Sequence, residues 1–128
     1  MNEKKLGSSL DLAKWIAQNL DRKGGQEITI IDTRRNDAIA DFLVVATGTS
    51  QKHLETLLES PCRELKASGN PPISIEGAGT QWFLADLGDV VLHIFDNQTR
   101  NYFDIDGLWN EAPRISWNDK KNQKLQIL

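Results

Sequence analysis

The stretch QWFLADLGDVVLHIF, residues 81–95, constrains this chain more than any other. Two runs rich in aromatic and β-branched residues, 81–87 and 90–95, flank Gly88-Asp89, which is the composition and spacing of a β-hairpin. Strand alternation puts Trp82, Leu84 and Asp86 on one face and Phe83, Ala85 and Leu87 on the other. With one aromatic on each face, one of them either meets a packed helix or lies on a surface. Val90, Val91 and Ile94 are the core positions of the second strand.

The remaining elements follow from local pattern. Ser9 serves as an N-cap for a helix reaching about Lys23, with Asp11 suited to the positive helix end and Leu12, Ile16 and Leu20 forming a core stripe. Gly24-Gly25 ends it. Residues 27–33, EITIIDT, read as a strand buried on both faces, because the three isoleucines do not strictly alternate. A polar connection leads to FLVVAT, the most apolar strand in the chain. Gly48-Thr49-Ser50 then opens a helix over residues 51–68 that buries Leu54, Leu57, Leu58 and Leu65. Pro61 lies inside it, which predicts a kink or a break into two helices. Gly69-Asn70-Pro71-Pro72 is a stop, residues 73–76 a short strand, and residues 97–103 and 106–109 helical turns. Ala112-Pro113 closes the folded part. Five strands with helices between the early ones predict a single α/β domain with a mixed five-stranded sheet and flanking helices, over residues 10–115. Residues 1–9 are expected to be flexible, and residues 116–128 to form a polar tail.

A chain of 128 residues with 39% hydrophobic and 26% charged residues is ordinary for one globular domain. It has no apolar run long enough to span a bilayer and no apolar region behind the first lysines, so a cytoplasmic protein is expected. The lone Cys62 cannot form an internal disulfide. The net charge of −3 argues against a broad grip on phosphate backbone. Three lysines and one aspartate fall in residues 118–128, so the body before them is more acidic than the whole and suits a basic partner.

Candidate chemistry is sparse. The Gly48-Thr49-Ser50 turn offers amides to an anion, yet no GxxxxGK[ST] or GxGxxG surrounds it, and the plain alternative is a helix cap. His53 and His93 are the only imidazoles, too few with one cysteine for a zinc site. Asp86, Asp89 and Asp96 are conceivable Mg²⁺ ligands, but turn and strand-end positions account for them. Cys62 falls in an apolar helix pattern, where a thiol is inert. The aromatic residues point instead to binding. Phe103, Leu108 and Trp109 are expected to pin the C-terminal turns into the core, whereas Trp82 and Tyr102 fit either a core position or an interface anchor.

Ala40-Asp41-Phe42, Ala46-Thr47-Gly48-Thr49-Ser50, Gly88-Asp89-Val90-Val91, His93-Ile94-Phe95, Tyr102-Phe103-Asp104 and Leu108-Trp109 occur in an order and spacing that resemble the Iojap-like ribosomal silencing factor family. The likeness runs from about Leu10 to Ile115. It implies a fold distantly similar to nucleotidyltransferases, with no enzymatic activity and no cofactor. It also implies docking on the large ribosomal subunit through ribosomal protein L-fourteen, steric exclusion of the small subunit, repression of translation, and a possible homodimer. Within the family's motif stand Trp82, Asp86, Asp89, His93, Tyr102 and Asp104, the candidate partner-binding residues. Exposed aromatics would be the anchors, and the aspartates would face basic side chains. The alternative class is a nucleotide-binding protein or nucleotidyltransferase-like enzyme. Such enzymes need two metal-holding carboxylates near the Gly turn, and none follows Gly48 until Glu55. The lysine-bearing tail departs from the pattern, and would either touch ribosomal RNA or be inert.

Overall fold

Period-two alternation along the central strands divides the apolar residues between two layers, and that division builds the molecule. The computed structural model describes residues 8–36 and 38–118. The expectations for residues 1–7 and 119–128 therefore lie outside the described residues.

Helix α1 (Ser9–Arg22) is capped by Ser8 rather than Ser9: the extended Ser8 accepts the Asp11 amide on its Oγ at 3.0 Å. Ile16 and Leu20 of the expected stripe are fully buried with Ala13 and Ala17 beside them, whereas Leu12 is only part-buried against the core. Strand β1 (Gln26–Asp32) has an irregular register between Gln26 and Thr29, where Glu27 adopts a left-handed φ of 48°. Strand β2 (Phe42–Thr47) is buried along its whole length, as a central strand must be. Ser50 caps α2 (Gln51–Ala67) by accepting the His53 amide. The break expected at Pro61 does not occur, since α2 is one element throughout. Leu57, Leu58, Cys62 and Leu65 anchor the helix on both sides of the proline. Asn19 of α1 also bonds to Ser60 and Glu64 across it, so tertiary contacts outweigh the lost helix bond.

Strands β3 (Ser74–Glu76), β4 (Trp82–Asp86) and β5 (Val90–Phe95) follow, then the short helices α3 (Asn97–Phe103) and α4 (Ile105–Leu108). The predicted hairpin is present, with Trp82 opposite Phe95 and Asp86 opposite Val91. Among the described residues the sheet has six strands, not the expected five. Arg114–Ile115 forms β6 beside β1, giving the order β3-β4-β5-β2-β1-β6. A two-residue strand has no periodicity to read, and Pro113 before it looks like a stop. Only the β2–β5 pair is parallel, so the α/β class with a mixed sheet stands. The chain stays with the body past Pro113: Trp117 packs on the core, and its indole N–H donates to the Ile28 carbonyl.

Helices α1 and α2 cover one face of the sheet. Beneath them lie Phe42, Val44, Ala46, Phe83, Ala85, Val90, Leu92 and Ile94. The other face presents Ile31, Leu43, Val45 and Phe95, with Trp82 and Val91 part-buried beside them.

Candidate docking face

Among the described residues, that second face has no long helix over it. The short helices α3 and α4 cover part of it through Ile105 and Trp109. Helices of seven and four residues cannot persist alone, so something must hold them. Arg100, 4% exposed, does so. Its Nε and Nη2 donate to the two Asp106 carboxylate oxygens, each at 2.9 Å. Its Nη1 donates to the Glu27 carbonyl at 2.7 Å and to Thr47 Oγ1 at 3.0 Å. The irregularity in β1 thus supplies an acceptor for the guanidinium. This bidentate bond holds the Asp106 carboxyl below the usual carboxylate range. Asp104 links the two helices in a left-handed conformation, its carboxylate accepting the Gly107 amide.

On the other flank, the loop after β1 is tied down by Asp32 and Thr33. Asp32 takes two hydrogen bonds from the Arg34 side chain, which hold its carboxyl below its ordinary value, and the guanidinium lies 4.9 Å over the Phe42 ring. Thr33 Oγ1 donates to the Ala40 carbonyl at 2.6 Å. The loop so fixed carries Ile39, which is fully exposed.

Between these flanks runs an apolar groove of about 480 Å³, lined in part by Leu43, Trp82, Val91, His93, Phe103 and Trp109. Ring contacts continue from it to the surface: Trp82 lies 5.1 Å from Phe95 and 4.7 Å from Phe103, and Tyr102 meets Phe103 edge-on at 5.0 Å. Gly77 lets the chain enter β4 beside it. Its φ is +81°, and a Cβ there would collide with the Trp82 carbonyl.

The candidate residues divide. Trp82, half-buried, and His93, buried, come together in the groove wall, and exposed Tyr102 reaches it only through its edge-on contact with Phe103. Asp104 follows Phe103 in the chain and caps α4. Asp86 and Asp89 lie at the far, turn end of the hairpin, where Asp86 accepts the Gly88 amide and the Asp89 carbonyl accepts the Asp41 and Phe42 amides. Two core expectations are overturned: Phe103 is 52% and Leu108 76% exposed, since α3 and α4 are too short to turn every apolar residue inward. Trp109 is half-buried against the sheet. Sequence reasoning missed Leu43 and Val91 as lining residues, although extending the hairpin alternation to β2 and β5 would have found them. Nothing in the sequence singles out Ile39, or Arg100.

The competing sites fare differently. In the Gly48–Ser50 turn the Gly48 amide donates to Phe95, and the Thr49 amide to His53 Nδ1. A Cβ at Gly48 would meet Leu54 at 2.7 Å, so close packing explains the glycine without a phosphate. Among the described residues no group of three histidine, cysteine or acidic side chains could hold a metal ion. Asp96 accepts the Thr99 amide as the α3 cap. Burial pushes the Cys62 thiol up to about 11, far from a nucleophile's range. No helix among the described residues is long and apolar enough to cross a membrane.

Residues 7–126 match the family model described as ribosomal silencing factor during starvation. The chain belongs to this family. It is 32% identical over 100 residues to the ribosomal silencing factor of Chromobacterium violaceum, which covers 77% of this chain and 82% of that one. A mouse relative named for mitochondrial assembly of the ribosomal large subunit is 26% identical over 108 residues, 81% of this chain and 47% of its own length. A crystal structure of a Chromobacterium violaceum protein is similar with a TM-score of 0.75 and 31% identity, covering 79% of this chain and 85% of that one. Among the described residues, the groove face is where apolar side chains of this chain stay part-covered or exposed.

Proposed function

We propose that this silencing factor docks its open sheet face on the large ribosomal subunit, through ribosomal protein L-fourteen, and keeps the small subunit from joining. It acts by binding in the cytoplasm, with no catalytic step and no cofactor. The observation that carries this reading is the apolar rim formed by Ile39, Tyr102, Phe103 and Leu108 around the groove. Contiguous exposed apolar surface marks an interaction site, and aromatic anchors dominate such interfaces. The name of the mouse relative, with its large-subunit role, supports the choice of subunit. Asp104 near the groove, with Asp86 and Asp89 farther off at the hairpin turn, adds acidic groups suited to a basic protein and to fast association. A homodimer formed through the same face would compete with docking.

The test is sedimentation of separated subunits with and without the protein. Joined ribosomes should decline and the protein should travel with the large subunit at moderate salt. Protein that remains at the top of the gradient, with subunit joining unchanged, rules the reading out.

A further inference from the structure

His93 is 8% exposed, and its Nδ1 accepts the Trp82 indole N–H at 3.0 Å. An indole nitrogen only donates, so Nδ1 carries no proton. Burial holds the imidazole down to about 4, so at neutral pH the ring is uncharged and its proton sits on Nε2. That N–H has no hydrogen-bond partner among the described residues. Every fully enclosed side-chain nitrogen and oxygen among them is satisfied, so Nε2 reaches open space, and the ring lines the groove. A directed donor therefore stands in the wall of a cleft that is otherwise apolar. Such a donor is costly once water is displaced, unless the occupant accepts its hydrogen bond.

We infer that the groove takes an uncharged, apolar segment of the protein partner, and that this segment presents an accepting oxygen, from a main-chain carbonyl, amide or hydroxyl, to His93 Nε2–H. This rests on the docking reading above and names the chemistry of its contact. Among the described residues no lysine or arginine lines the groove, so a nucleic-acid backbone finds no pairing with them. The neutral imidazole gives no charge to a carboxylate or phosphate. Ile39, Tyr102 and Leu108 continue the apolar surface outward, so the occupant extends past the cleft as a protein segment does. His93 thus has two tasks: one nitrogen orients Trp82, and the other reads the partner.

The two nitrogens can be separated by substitution. An asparagine amide reaches about as far as Nδ1, and a glutamine amide about as far as Nε2. We expect His93→Gln to bind purified large subunits within about threefold of the wild type, and His93→Asn to bind about tenfold more weakly although it keeps a partner for Trp82. Equal binding by both variants overturns the inference, as does the reverse order, which would leave His93 only its hold on Trp82. A dimer that is lost in His93→Asn while subunit binding is unchanged gives the groove to a second copy and overturns it too. Because either variant could lose the fold, the wild-type protein supplies an independent measurement. With isolated L-fourteen protein as the probe, ring ¹⁵N shifts should place the proton on Nε2, and its exchange with water should slow at least tenfold on binding. Unchanged exchange in a formed complex overturns the inference alone. Wild-type protein that binds neither subunit nor L-fourteen removes the docking reading and this contact with it.

Discussion

The two faces of the sheet are made by the same strands, and they finish differently. On one, Phe83, Leu92 and Ile94 disappear beneath α1 and α2 into one buried cluster with Ile16, Leu20, Leu54 and Leu57. On the other, Ile31, Leu43 and Phe95 are buried, but Trp82, Phe103 and Leu108 are left part-covered or bare by two helices of seven and four residues. The first face completes its core within the described residues; the second leaves apolar side chains open among them, and that opening is what the proposed docking would fill. The difference lies in what holds each layer. Helices α1 and α2 are held by apolar area, whereas α3 and α4 depend on the polar tie of Arg100 to Asp106, Glu27 and Thr47.

The largest expected effect lies on the covered face. Phe83, 1% exposed, should cost about 3–5 kcal/mol when replaced by alanine, read as a lower urea midpoint with an unchanged slope. Phe103→Ala, on the open face and half-exposed, should cost far less. Equal losses would show that the faces do not differ as described.

Next comes pH. The unfolded chain protonates His93 near 6.5 and the folded protein only near 4, so protons bind the unfolded state preferentially between those values. Stability from His93 is therefore full above about pH 6.5 and falls as pH drops toward 4, by on the order of 3 kcal/mol. Denaturant titrations across that window should show the slope in the wild type and lose it in His93→Gln. A flat wild-type profile would mean that the ring is not buried as the groove requires.

The sheet was legible in the sequence where alternation ran for five or more residues. The hairpin faces, the buried β2 and the Gly48-Thr49-Ser50 junction all follow from local pattern, with the choice of Ser50 over Thr49 as the cap left to the structure. The sixth strand did not, because Arg114–Ile115 is two residues long and is defined by its pairing with β1 rather than by its own composition. Pro61 misled for the same kind of reason: propensity sees the missing amide, and cannot see Asn19 clasping Ser60 and Glu64 from another helix. At the docking face, Trp82 and Tyr102 are visible as aromatics, and His93 as a strand residue. Their assembly depends on Arg100, whose acceptors come from β1, β2 and α4. Such a contact, 73 residues apart in the case of Glu27, leaves no local trace.

That dependence gives the third prediction. Arg100→Ala removes the charge partner of Asp106 and the donor to Glu27 and Thr47. A fully buried pair broken on one side costs about 3–5 kcal/mol. Asp106 is partly exposed and water can reach it, so we expect about 2–3 kcal/mol here. The distinguishing measurement is hydrogen exchange. Amides of α3 and α4 should exchange faster through local opening, while those of α1 and α2 keep most of their protection. Uniform acceleration would place Arg100 in the common core and make the two layers one cooperative unit.

The smallest effect on stability should accompany one of the largest on binding. Leu108 is 76% exposed at the groove rim, so Leu108→Ser removes little buried area and should shift stability by less than about 0.5 kcal/mol. If the open face is finished by a partner, the same change should weaken co-sedimentation with the large subunit by about tenfold, as loss of an apolar anchor does. Ile73 is the control. It is 70% exposed beside the edge strand β3, does not line the groove, and Ile73→Ser should alter neither quantity. Matching binding losses in both variants would trace the effect to general surface hydrophobicity. Loss at Leu108 alone would show that this face, with its unfilled cleft, is where the silencing factor meets its target.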